Sequence, residues 1–234
     1  PPAVFATMAG VVIGVGSLGN IASSLPLAVA VDLLGWRGTM VGLAGLTFAV
    51  AASIALLLRD PDRIVTSARG SVLDLLRMPA LWLILPLMAF SYLPSAALRG
   101  LWIGPYYADV FGADSAGIGR VSLAMGLAMV LGNFAYGPLD RLFGTRKWVI
   151  FWGNALGLLC LLGLWAMPLA GGFATAALLA AVGFFGASYA VLVAHGRAFI
   201  PPHLTGRGVT LMNLFGIAPI GLGQIITGQL HAAA

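Results

Sequence analysis

The chain has 234 residues, 60% of them hydrophobic and 8% charged, with no Glu and a formal net charge of +5. A soluble domain carries roughly 25% charged residues, so this composition excludes a water-solvated globule and implies an all-α integral membrane protein whose solvent is lipid. No basic stretch is interleaved with aromatics in the manner of a nucleic-acid surface, and the net charge carries no implication of a nucleic-acid partner.

A spanning helix needs about 20 predominantly apolar residues, and the runs between charged residues predict seven: 10–32, 38–58, 81–106, 117–138, 148–167, 173–196 and 208–231. The first contains Gly14-Val15-Gly16-Ser17-Leu18-Gly19, which matches the dinucleotide pattern G-x-G-x-x-G. That pattern needs a preceding strand and an acidic residue about 20 positions on. Here no strand precedes it, and Asp32 follows Gly19 too soon. The glycines, with Gly10, read instead as a small-residue seam for close helix packing, and no cofactor is expected. Ser17, Asn20 and Ser24 share a face of this helix.

After the second helix comes the one long polar stretch, 59–80. Within it Ser71-Val72-Leu73-Asp74 has the form of a capping box, opening a short amphipathic helix whose Val72, Leu73 and Leu76 rest on the membrane while Arg69 and Arg77 meet headgroups. The third helix carries Tyr92, Ser95, Arg99, Trp102 and Tyr106 at helical spacing, all predicted on one face, and Pro94, Gly100, Gly104 and Pro105 interrupt it. Counted from Leu81, Arg99 lies about 27 Å along the helix. That is near the outer edge of a roughly 30 Å hydrocarbon layer, which leaves two readings: snorkelling or a structural ion pair, or contact with an anionic substrate through the bidentate fork.

Asn133 and Tyr136 share a face of the fourth helix, and Met167–Gly172 supply the turn that divides 148–196 into two helices. Cys160 lies mid-helix, alone, and reads as a small buried apolar residue. Asn154 reads as a packing residue. Ser188 and His195 raise an intramembrane hydrolase, but two turns separate them by about 10 Å, too far for a nucleophile–base pair. Asn213, Gln224 and Thr227 line one face of the last helix. No metal-ligand cluster is expected, and the only Lys, Lys147, flanks a loop, which excludes a retinal Schiff base.

If the helices alternate, Arg59, Arg63, Arg69, Arg77, Arg141, Arg146, Lys147, Arg197 and Arg207 fall at one end, against Arg37, Arg99 and Arg120 at the other. The positive-inside rule puts the first set in the cytoplasm.

Gly137-Pro138-Leu139-Asp140-Arg141-Leu142-Phe143-Gly144-Thr145-Arg146-Lys147 resembles the short basic loop of the major facilitator superfamily. Pro26-Leu27-Ala28 with Leu34-Gly35-Trp36-Arg37 resembles the end of a fifth helix and its outer turn in bacterial members, and Pro1-Pro2 and Pro201-Pro202 stand where equivalent points of two six-helix halves would fall. The resemblance implies a fragment holding helices five to eleven of twelve: 1–58 closing the N-terminal half, 59–80 a cytoplasmic linker, and 81–234 five helices of the C-terminal half. It further implies a multi-pass inner-membrane permease, not an enzyme. Such a permease would move a small, anionic organic solute by alternating access, and act as a monomer in lipid once its remaining helices are present. An efflux antiporter of the same fold is the alternative, with a channel or an intramembrane hydrolase behind it.

Combined with the polar faces above, the resemblance selects Arg99, Tyr92, Ser95, Tyr106, Asn20, Asn133, Tyr136, Asn213 and Gln224 as substrate candidates. It assigns Gly137, Asp140, Arg141, Gly144, Arg146 and Lys147, with Gly14, Gly16 and Gly19, to gating and conformational change, Asp140 facing the start of the first helix near Thr7 to Gly10. The family places this Asp three residues before the second Gly, whereas Asp140 stands four before Gly144, a rotation of about 100° on a helix. All seven acidic residues lie at helix ends or in loops, so no intramembrane carboxylate is available for proton coupling.

Overall fold

The structure, a computed structural model, describes residues 16, 19, 21–58, 71–169 and 171–233, with the side chains of Asp140 and Arg141 outside the description. The described residues form helices and no strand: α1 (Leu25–Leu57), α2 (Val72–Leu76), α3 (Pro79–Ala97), a π turn (Leu98–Trp102), α4 (Ile103–Phe111), α5 (Ser115–Leu142), α6 (Arg146–Ala166), α7 (Gly172–Gly186), α8 (Ser188–Arg197), a 3-10 turn (Pro202–Leu204) and α9 (Thr205–Ala233). Among the described residues, six segments are long and apolar enough to cross a membrane: Leu25–Leu57, Pro79–Phe111, Ser115–Leu139, Arg146–Ala166, Gly172–Arg197 and Pro202–Ala233. This is the architecture of a helical protein consistent with multi-pass insertion.

The local chemistry explains the boundaries. The described end of the first expected helix and the second run together as α1, broken at Gly35, whose φ of 70° and ψ of 165° are open to glycine; the rest of the first lies largely outside the described residues. The break falls where the turn between them was expected. The expected helix 81–106 runs on to Phe111: Gly100 falls in the π turn, where the Ile103 N–H donates to the Leu98 carbonyl five residues back, and Gly104 and Pro105 fall in the first turn of α4. Gly112, at φ 60°, then closes α4 in the left-handed conformation. Asp114 caps α5 by accepting from the Gly117 N–H at 2.7 Å. The capping box is present as read: the Leu73 N–H donates to Ser71 Oγ at 3.2 Å, and the Ser71 N–H donates to Asp74 Oδ2 at 2.7 Å. Leu75 of this short helix is fully buried, while Val72, Leu73 and Leu76 stay exposed.

Contacts identify the two ends of the bundle. At the arginine-rich end, Arg146 at the start of α6 donates to the Ala194 carbonyl at the end of α8, at 3.3 Å. There Gly196 also packs on Met212 and Ile84. At the opposite end, Tyr107 donates to the Gly172 carbonyl at 2.7 Å, Tyr106 donates to that of Pro168, and Ser115 meets the Asp32 carboxylate at 3.0 Å. A buried apolar cluster sits towards each end, one around Leu81, Met88, Leu192 and Met212, the other around Ile103, Met125 and Val182. The second half of α1, after Gly35, is exposed along nearly its whole length.

Helix crossings rest on glycine. A Cβ on Gly132 of α5 would lie 2.5 Å from the Phe184 carbonyl oxygen of α7, and one on Gly223 of α9 would lie 2.8 Å from Leu93 of α3. Gly16 and Gly19 show no such approach: a Cβ there meets nothing within 4 Å among the described residues, and Gly14 lies outside them.

An exposed helical Gly→Ala change ordinarily stabilises a helix by about 0.5–1 kcal/mol. Gly132→Ala is expected to do the reverse, costing roughly 1–3 kcal/mol through overpacking, whereas Gly45→Ala, in open space, leaves stability level or improved. Melting temperatures of the two variants in detergent check this; equal values would show that the α5–α7 crossing is not set by backbone contact.

Candidate functional site

The five polar residues expected on one face of the third helix each meet different partners. The π turn shifts Trp102 and Tyr106 out of the 3.6-residue register set by Tyr92 and Ser95. Tyr92 stacks on Tyr189 of α8 with ring centroids 4.9 Å apart. Ser95 is buried against Gly186, where a Cβ would fall 2.1 Å from its oxygen. Arg99 lies in the π turn itself. Beyond it, Trp102 donates to Thr227 Oγ1 of α9 at 3.0 Å and meets the His231 ring edge-on, and Tyr106 reaches the loop at Pro168.

From these separate neighbourhoods one polar cavity emerges. Tyr92 from α3, Asn133 from α5, Tyr189 from α8 and Asn213 from α9 line a space of about 210 Å³, with Met129 and Ile217 as apolar wall. Three of the four are substrate candidates from the sequence. Asn133 and Asn213 are exposed into it. The Tyr189 hydroxyl is buried and has no hydrogen-bond partner among the described residues. It fits only because residue 216 is glycine, a Cβ there standing 1.9 Å from the oxygen.

Arg99 lies two turns beyond Tyr92 on the same continuous helix. Its Nη2 donates to Ser24 Oγ at 3.0 Å and to Ser23 Oγ at 3.3 Å, and its guanidinium lies 3.4 Å from where a Gly126 Cβ would be. Gly126 is near the middle of the Ser115–Leu139 span. The guanidinium therefore lies beside the middle of that segment, bonded to two serines of the chain. Gly126, Met129, Val130 and Asn133 follow one another at helical spacing on α5, so one face of that helix runs from the guanidinium to the cavity. Gln224 stands beside Gly100, its Nε2 3.1 Å from a Cβ built there, and Asn213, Ile217 and Gln224 lie along one face of α9.

The remaining candidates lie elsewhere. Tyr136 is 5% exposed, packed near Phe184 and Gly153 and away from the Asn133 cavity. Asn20 and the side chains of Asp140 and Arg141 lie outside the described residues. In the basic loop, Gly144 turns the chain at φ 63°, Gly137 faces open space, Arg146 binds α8, and Lys147 lies 5.4 Å above the Trp148 ring. Asn154 donates to the Ile150 carbonyl at 2.9 Å, within its own helix. Ser188 is sealed against Gly153, while the His195 ring meets Phe199, so the two form no catalytic pair. Tyr189 and Ser23 were missed. The break at Ala187 that aims Tyr189 into the cavity carries no Pro, and Ser23 pairs across about 76 residues of sequence.

No protein-family model matches the chain, and no curated protein sequence matches it.

Thiol accessibility separates cavity from core, since reactivity follows exposure. With Cys160 replaced by Ser, Asn133→Cys and Asn213→Cys are expected to react with a charged methanethiosulfonate in membrane vesicles roughly tenfold or more faster than Tyr136→Cys. Equal rates would dissolve the cavity as described.

Proposed function

We propose that the chain is part of a secondary transporter of the major facilitator type, which moves a small anionic organic solute across the cytoplasmic membrane by alternating access. The observation that carries this reading is the convergence of Tyr92, Asn133, Tyr189 and Asn213, from four helices, on one open cavity, with the Arg99 guanidinium two turns further along. In an apolar bundle such side chains are expensive to keep and mark a solute path. The amides and the Tyr189 hydroxyl orient a polar solute, and Arg99 supplies the charge that a carboxylate answers in two parallel hydrogen bonds.

The helix breaks support the same reading. The π turn in the Pro79–Phe111 helix, the tightened turn at Ala187 and Pro219 inside α9 all lie on helices that border the cavity. Interrupted helices at the midplane are how carriers expose backbone groups to solute. Alternating access then needs a contact that opens. The described part of α1 packs against α5 where Leu25 and Ala28 meet Gly119, and Ser23, Ser24 and Asp32 tie it at and beyond mid-depth, towards the end opposite the arginines. Separating this seam uncovers Arg99 from that side, while the arginine-rich end, placed in the cytoplasm, closes.

Reconstituted in proteoliposomes, the protein is expected to take up one or more labelled carboxylates saturably and with competition between substrates. Arg99→Gln is expected to lower kcat/KM by about 10- to 100-fold, the worth of a charge-assisted hydrogen bond, with Arg99→Lys intermediate. Flux linear in concentration would indicate a pore, and an unchanged Arg99→Gln would remove the anion from the proposal.

A further inference from the structure

A second cavity, separate from the polar one, opens on the outside of the bundle between α5, α6 and α7. It encloses about 540 Å³ and is lined by Phe143, Thr145, Trp148, Trp152, Leu156 and Phe184. Trp148, Trp152 and Leu156 are spaced four apart, so α6 presents them as one stripe. Trp148 and Trp152 are 51% and 58% exposed. The groove starts at Thr145, in the loop at the arginine-rich end, and reaches Leu156. Eleven residues of helix make about 17 Å, close to the depth of one leaflet's share of a roughly 30 Å hydrocarbon layer.

Its mouth is positive. Lys147 is exposed there, with Nζ held 5.4 Å above the Trp148 ring, and Arg146 stands beside it. Thr145 opens α6 as its N-cap without a side-chain capping bond, leaving its hydroxyl at the rim of the groove. A slot lined by apolar and aromatic side chains, one leaflet deep and basic at the headgroup level, is complementary to one kind of molecule. We propose that it is a binding site for an anionic phospholipid of the arginine-side leaflet, with an acyl chain along Trp148, Trp152 and Leu156 and the phosphate at Lys147 and Thr145. Basic pockets between spanning helices on the cytoplasmic side recognise anionic headgroups in this way. The site needs only a membrane around the bundle, and stands whether or not the polar cavity carries a solute.

The test uses the purified chain in neutral detergent, with binding read by native mass spectrometry and by melting temperature. Dioleoyl phosphatidylglycerol is expected to bind saturably and raise the melting temperature more than dioleoyl phosphatidylcholine. Lys147→Gln, a surface change, is expected to weaken phosphatidylglycerol about fivefold, the worth of one basic residue at a membrane surface. Leu156→Trp, which fills the groove, is expected to remove the preference while lipid-free melting stays the same. Equal binding of the two lipids by the unaltered chain, or an unchanged phosphatidylglycerol affinity in Lys147→Gln, overturns the proposal. So does displacement of the lipid by glycerol phosphate at equal concentration, since the headgroup alone would then account for binding.

Discussion

Helices surrounded by lipid gain nothing from hiding apolar surface against one another, because the lipid is as apolar as leucine. What holds such a bundle is close contact, and here close contact depends on backbones meeting at glycine. Gly132 brings α5 onto the α7 backbone, Gly153 brings α6 onto Ser188, Gly216 takes in the Tyr189 hydroxyl, and Gly186 takes in Ser95. The positions of the larger side chains follow. Because Gly216 accepts Tyr189, its ring turns inward and stacks on Tyr92. Because α5 crosses α7 at Gly132, Asn133, the next residue on α5, lines the cavity beside Ala187. The polar cavity is thus what remains between crossings fixed elsewhere.

The charge of Arg99 is solved by the same means. An ionised group at mid-depth is costly unless the protein solvates it. Two serine hydroxyls in the turn before α1 do this, and Gly126 of α5 leaves room for the guanidinium. A side chain larger than a methyl at 126 would press on the guanidinium, and separation of α1 from α5 would strip its hydroxyl partners. In the proposed transport cycle the same group would couple two events, since an arriving carboxylate would compete with Ser23 and Ser24 for the same N–H groups.

Much of this was legible in the residues, and the boundary of legibility is physical. Charge-free runs located the spanning segments because a charge in lipid is expensive whatever surrounds it. Gly35 and the Ser71–Asp74 box were readable because turns and caps are local. The helix that carries Arg99 runs on past its expected end, because the π turn lets it continue through Gly100 to Phe111. The same turn moved Trp102 and Tyr106 off the face of Tyr92 and Ser95, in a stripe whose regular spacing assumed 3.6 residues per turn throughout. Asn133 and Asn213 were found as polar residues in apolar helices, but that they meet Tyr189 depends on crossings between partners far apart in sequence. The glycine motif at Gly14–Gly19 drew attention by its pattern, whereas the close contacts fall on Gly132, Gly153 and Gly216, which have no motif.

The irregular helices and the regular one also divide the surface between two kinds of solvent. Proline removes a backbone donor: Pro105 leaves the Leu101 carbonyl, and Pro219 the Phe215 carbonyl, without its ordinary helical partner. In hydrocarbon an orphaned carbonyl costs several kcal/mol, so such breaks survive only where protein or a wet cavity receives them. They occur here on helices that border Tyr92, Asn133, Tyr189 and Asn213. α6 holds no proline and runs without a break from Arg146 to Ala166, and its Trp148–Leu156 stripe faces the apolar groove. A solute that hydrogen-bonds can use the first surface, and a hydrocarbon chain the second.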